Sequence, residues 1–160
     1  MTNVGITGHQ KLPDPDAWPW VESALRTVLS NIERPWLAVS SLAQGADQVF
    51  ARIAIEQGAD LYAVVPFPEY EETFPDGESQ ALYRELLRQA SSVEILERLA
   101  SDEESYLRAG QRMVDLSNLV VAVWNGKKAA GLGGTGDIVE YARSQGKAVF
   151  HIDPMGRPSQ

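Results

Sequence analysis

The sequence predicts an α/β domain, an open and mostly parallel sheet with helices on both faces. Three observations predict it. Short apolar runs alternate with amphipathic segments along the chain. The run "LVVAVW" (119–124) is apolar throughout, as strands covered on both faces are. Glycines gather where strand-like runs give way to helical ones, most densely in "GLGGTG" (131–136), with four glycines in six positions.

Each element follows in order. "NVGITG" (3–8) reads as a first strand closed by glycine. After a polar, proline-rich loop, Trp20, Val21, Ala24, Leu25, Val28, Leu29 and Ile32 recur at helical spacing. "WLAVSSL" (36–42) is the second strand. The helix after it turns Ala46, Val49, Phe50, Ile53 and Ala54 to one side and stops at Gly58. "DLYAVVPF" (60–67) is the third strand, followed by the loop "PEYEETFPDGES" and a helix over 78–90 carrying Leu82, Leu86 and Ala90. "SVEILE" (92–97) reads as a further strand. A helix over 102–118 turns Tyr106, Ala109, Met113 and Leu116 inward. "LVVAVW" is the next strand, the glycine-rich stretch opens a helix to about Gln145, and "AVFHID" (148–153) is the last strand. The expected organisation is one domain over 1–155 with a loose tail at 156–160, and a strand order near 3-2-1-4-5 with a further strand at the edge.

Composition narrows the function classes. The formal net charge is −8 over 160 residues, which argues against a nucleic-acid partner held by a basic surface. A small anion is compatible with it, because backbone N–H groups hold phosphate without net positive charge. The chain has no cysteine, so thiol catalysis and cysteine-bound zinc are excluded, and His9 and His151 are not spaced as a metal pair. No apolar run is long enough for a membrane helix, and "MTNVGITGHQ" lacks the features of a signal peptide. A cytoplasmic protein without membrane, metal or obligatory cofactor is expected.

Ligands of parallel sheets sit beyond the carboxyl ends of the strands, where strand order reverses. Three loops have that address. In "GGTGD", Gly133, Gly134 and Gly136 let main-chain N–H groups converge on an anion, and the helix dipole adds positive potential. Alternatively Thr135 or Asp137 simply caps the helix. In "VGITGHQ", Gly5 and Gly8 approach a ligand with Thr7 and His9 as polar contacts, or the loop is a plain turn. In "SSLAQGAD", Ser40 or Ser41 reaches a ligand and Gly45 permits close approach, while Asp47 near the helix start is a ligand contact or a structural residue. Neither serine has a histidine base at an evident spacing. Arg108 and Arg112 lie one turn apart on the helix before "LVVAVW", on a ligand side or a solvated face. "EYEET" (69–73) is a charge run in a loop, most simply solvated, although Tyr70 or Phe74 can cover a base.

Together, "GITGHQ", "SSLAQGADQVFARIA", "VVPFPEYEETF", "MVDLSNLVVAVWNGK" and "GLGGTGDIVEYAR" resemble the SLOG superfamily, which unites the DNA-processing protein DprA with the LOG phosphoribohydrolases. The resemblance covers about residues 3–153 and is greatest to small stand-alone bacterial members. It implies a Rossmann-like sheet binding a nucleotide or nucleotide derivative over the glycine-rich loops. LOG enzymes carry Pro-Gly-Gly-x-Gly-Thr-x-x-Glu here. Gly133, Gly134, Gly136 and Glu140 match it, whereas Leu132 replaces the proline and Asp137 the threonine. The catalytic arginine of LOG enzymes falls on Ala109, with Arg108 and Arg112 nearby but out of register. Ser41, Ala43, Gly45 and Asp47 match a DprA segment.

The resemblance therefore implies two readings. One is a nucleotide-binding protein, such as a sensor of a nucleotide signal. The other is a hydrolase of the N-glycosidic bond of nucleoside 5′-monophosphates, with Glu140 as acid/base and Arg112 on the phosphate or ribose. Gly8, His9, Ser41, Gly45, Asp47, Gly133, Gly134, Thr135, Gly136 and Asp137 are the expected ligand contacts. A homodimer is expected from the superfamily.

Overall fold

The computed structural model describes residues 1–128 and 134–156. Gly133 and the end of the tail lie outside the described residues. Six strands form one sheet: β1 (Thr2–Gly8), β2 (Trp36–Ser40), β3 (Asp60–Val65), β4 (Ser92–Ile95), β5 (Leu119–Val123) and β6 (Ala148–Ile152). Their order is β4-β3-β2-β1-β5-β6, and every pairing is parallel. The segment read as "SVEILE" is the further edge strand, laid beside β3. Strand order reverses between β1 and β5.

Five helices connect the strands: α1 (Trp18–Ser30), α2 (Ala46–Glu56), α3 (Gly77–Gln89), α4 (Asp102–Leu116) and α5 (Thr135–Ser144). The two faces of the sheet carry separate cores. Val4, Ile6, Ala38, Ala63, Val65, Val121 and Val123 pack with Leu25 of α1, Phe50 and Ile53 of α2, and Leu86 of α3. The alternate residues Val39, Val64 and Val120 pack with Met113 of α4 and Ile138 of α5. That period of two explains why central strands read as unbroken apolar runs. The edges differ: Val93, Ile95 and Phe150 are exposed.

Two sequence readings are corrected by the packing. Gly5 does not approach a ligand. A Cβ there would lie 2.3 Å from Met113 Sδ and 2.4 Å from Ser117 Oγ, so this glycine lets α4 sit against β1. The "EYEET" loop is not solvated throughout: in its 3-10 turn over Tyr70–Thr73 Glu72 is exposed, as is Glu69 before it, while Tyr70 is buried among Phe67, Phe74, Tyr83 and Tyr106.

Candidate functional site

The carboxyl ends of the central strands open into a cleft of about 700 Å³, a volume suited to a small organic ligand. The loop after β1 contributes Gly8 and His9, and the loop into α2 contributes Ser41, Gln44 and Asp47. The start of α5 contributes Gly134, Thr135 and Gly136. Tyr70, Phe74 and Tyr106 make an aromatic wall, with Tyr70 5.2 Å from Phe74 and 6.1 Å from Tyr106 between ring centroids. Asn125, Lys127 and Lys128 stand where β5 ends.

Hydrogen bonds lace these loops together. The His9 N–H donates to the Val123 carbonyl (3.2 Å), and the Ala46 N–H donates to the His9 carbonyl (3.3 Å). The Asn125 N–H donates to His9 Nε2 at 3.2 Å. Burial holds the His9 imidazole below its usual pKa. A neutral ring that accepts at Nε2 carries its proton on Nδ1 and so keeps one donor. Gly45 has φ +89°, and a Cβ there would lie 2.5 Å from the Gln10 carbonyl oxygen. Its role is to let two backbones meet beneath the cleft, and it does not line the ligand space.

Asp47 lies in the first turn of α2 and is only 9 % exposed. Burial pushes its carboxyl up to about 7, against the stabilising backbone N–H of Ala43. Burial also raises the Tyr70 phenol well above its ordinary value, and the nearby Asp47 adds to the shift. The α5 N-terminus leaves backbone N–H groups without helical partners at the cleft, beside Lys127 and Lys128.

The cleft brings together Gly8, His9, Ser41, Asp47, Gly134, Thr135 and Gly136. It does not bring in the two residues assigned to catalysis. Glu140 is exposed and, with Asp137 and Arg143, lines an adjoining depression that shares Trp124, Lys128 and Gly136 with the cleft. Arg112 is committed to Glu94, its Nε 3.1 Å from both carboxylate oxygens, while the Tyr62 hydroxyl donates to the same carboxylate at 2.5 Å. Arg108 donates to the Glu97 carbonyl. Ser40 is buried, its hydroxyl accepting from the Leu42 N–H at 3.0 Å. Sequence reasoning missed Gln44, Asn125, Lys127 and Lys128. The signal for the last three was "NGKK" directly after the most strand-like run.

No family model matches the chain, and no curated protein does. Solved structures do. DprA of Streptococcus pneumoniae superimposes with a TM-score of 0.65 at 17% identity, over 95% of this chain and 50% of that one. DprA of Helicobacter pylori gives 0.67 at 16% identity, over 99% of this chain and 66% of that one. The chain shares the Rossmann-like α/β fold of these structures. A third structure, the protein TM1055, gives 0.61 at 16% identity over 93% of this chain and 72% of that one. The chain thus spans half the length of one DprA and about two thirds of the other. The cleft lies at the point where strand order reverses, between β1 and β5.

Proposed function

We propose that this chain binds a nucleotide or nucleotide derivative in the cleft, and that it acts as a sensor of such a ligand. The supporting observation is the pairing, in one cavity, of an aromatic wall with an anion-ready end. Tyr70, Phe74 and Tyr106 suit a planar base. The α5 N-terminus with Lys127 and Lys128 suits a phosphate. The ligand needs no further cofactor in this reading. A cytoplasmic homodimer belongs to the same proposal.

The binding reading is favoured over N-glycosidic hydrolysis. A general acid must come within hydrogen-bond reach of the bond it cleaves. Glu140 faces solvent outside the cleft and Arg112 is held by Glu94. DprA of Helicobacter pylori binds single-stranded DNA. The net charge of −8 weighs against that partner for this chain. No helix among the described residues is long and apolar enough to cross a membrane.

A thermal-shift screen over nucleoside mono- and diphosphates tests the proposal. A ligand at about 100 times its Kd adds about 2.7 kcal/mol, or roughly 5–10 °C for a domain of this size. A flat response across the panel removes the reading. Release of free base from a monophosphate would instead restore the hydrolase.

A further inference from the structure

We infer that Asp47 reads the base of the ligand, and that it selects the paired N–H donors of a 2-amino-4-oxo pyrimidine edge, as on guanine. The inference rests on the nucleotide reading above and gives its base a chemical identity.

Asp47 is a buried carboxyl that lines the cleft. Among the described residues no Lys, Arg or His pairs with it and no side chain donates to it; its one donor is the Ala43 backbone N–H. A buried carboxylate without a partner is costly, and the cost falls when donors arrive from outside. Gln44, in the loop that leads into α2, does not supply them. Gln44 Oε1 is buried without a hydrogen-bond partner and is a second acceptor in the same loop. The Gln44 amide nitrogen is turned to Asp76, 3.3 Å away. This loop therefore offers acceptors to the cleft, while the donors of His9, Lys127 and Lys128 come from other loops.

The occupant must present donors, and the aromatic wall requires them on a planar ring. Guanine carries N1–H and the N2 amino group side by side, two parallel donors matched to two carboxylate oxygens. Adenine and cytosine set one amino group beside a ring nitrogen acceptor, which faces a carboxylate lone pair. Uracil sets one N–H between two carbonyls. Above its titration near 7, where Asp47 is ionised and offers two acceptors, only guanine of the four bases satisfies both oxygens; the protonated acid, one donor beside one acceptor, also fits adenine or cytosine.

Calorimetric titration of the full chain at pH 8, where Asp47 is ionised, with GMP, AMP, CMP, UMP and XMP tests this, repeated on Asp47→Asn. The wild type is expected to bind GMP roughly tenfold or more tighter than AMP, CMP or UMP, the scale of one bidentate base contact. Asp47→Asn is expected to lose that preference and gain XMP, because a carboxamide N–H can donate to the 2-oxo group that replaces the amino group. The wild-type panel reads the inference even if the variant does not fold. Equal binding of all bases, or preference for AMP, overturns it and leaves the nucleotide reading standing. A GMP preference unchanged in a folded Asp47→Asn protein also overturns it. A pterin with the same edge is titrated alongside. Binding of the pterin without any nucleotide keeps the edge assignment and removes the nucleotide reading, and no binding by either removes both.

Discussion

Asp47→Asn should raise the stability of the unliganded protein above neutral pH. The carboxyl stands at about 7 in the fold against 3.8 for the free group. The folded state therefore holds the proton more tightly than the unfolded state. The sign follows from linkage: the contribution is fully present below the unfolded value and is lost as pH rises through the folded one. Across roughly three pH units, at about 1.4 kcal/mol each, the wild type loses about 4 kcal/mol between about pH 4 and pH 7. The asparagine does not titrate and is spared this loss, although its amide brings a donor that must find a partner. Urea denaturation of both proteins from pH 4.5 to pH 8 measures the difference. All other groups titrate alike in the two proteins, so the difference isolates Asp47. It should grow with pH, to the equivalent of about 10 °C in Tm. A difference that stays flat over that range refutes the burial argument.

Gly45→Ala should cost about 1–3 kcal/mol in denaturation midpoint experiments, since φ +89° and the Gln10 carbonyl 2.5 Å from the new Cβ both oppose it. Gly5→Ala should cost about 1–3 kcal/mol by overpacking against Met113, read as a lower Tm. The double variant Lys127→Ala with Lys128→Ala should weaken nucleotide monophosphates while leaving free nucleosides unchanged in calorimetry; equal losses for both would place the phosphate elsewhere. Ser101→Ala should lower stability by about 1 kcal/mol, because its hydroxyl accepts the Glu104 N–H at 3.1 Å and caps α4. Light scattering should give the mass of two chains; a monomer at working concentration would remove the homodimer.

The sheet was legible in the sequence because a strand between two helical layers must be apolar on both sides, as Val120 and Val121 are. The address of the site was legible for a related reason: parallel topology sends Gly8, Ser41 and Gly134 to one rim. The direction of single side chains was not. Glu140 sits four residues beyond Gly136, and whether that angle faces the cleft depends on how α5 rests on α4. That contact is set by Gly110, where a Cβ would come 2.4 Å from Ile138 Cδ1. Glycines carried a double message. Gly5 and Gly45 looked like ligand contacts, yet each serves the approach of one part of the protein to another. Tyr106 read as core because it shares helical spacing with Ala109 and Met113, and the same half-buried side chain is part of the cleft wall.

His9 joins three loops through its main chain and ring: it meets Val123, Ala46 and Asn125. The base of the cleft is thereby cross-braced and can be remodelled only by disturbing all three loops at once. On the facing side only Tyr70 is fixed, buried among neighbouring rings with its N–H on the Phe67 carbonyl at 3.1 Å. Phe74, just after the Tyr70–Thr73 turn, and Tyr106, on α4, are half-buried and exchangeable by a single substitution. Diversification of ligand preference on this scaffold should therefore run along the aromatic side, with the histidine side held nearly constant as a shared foundation.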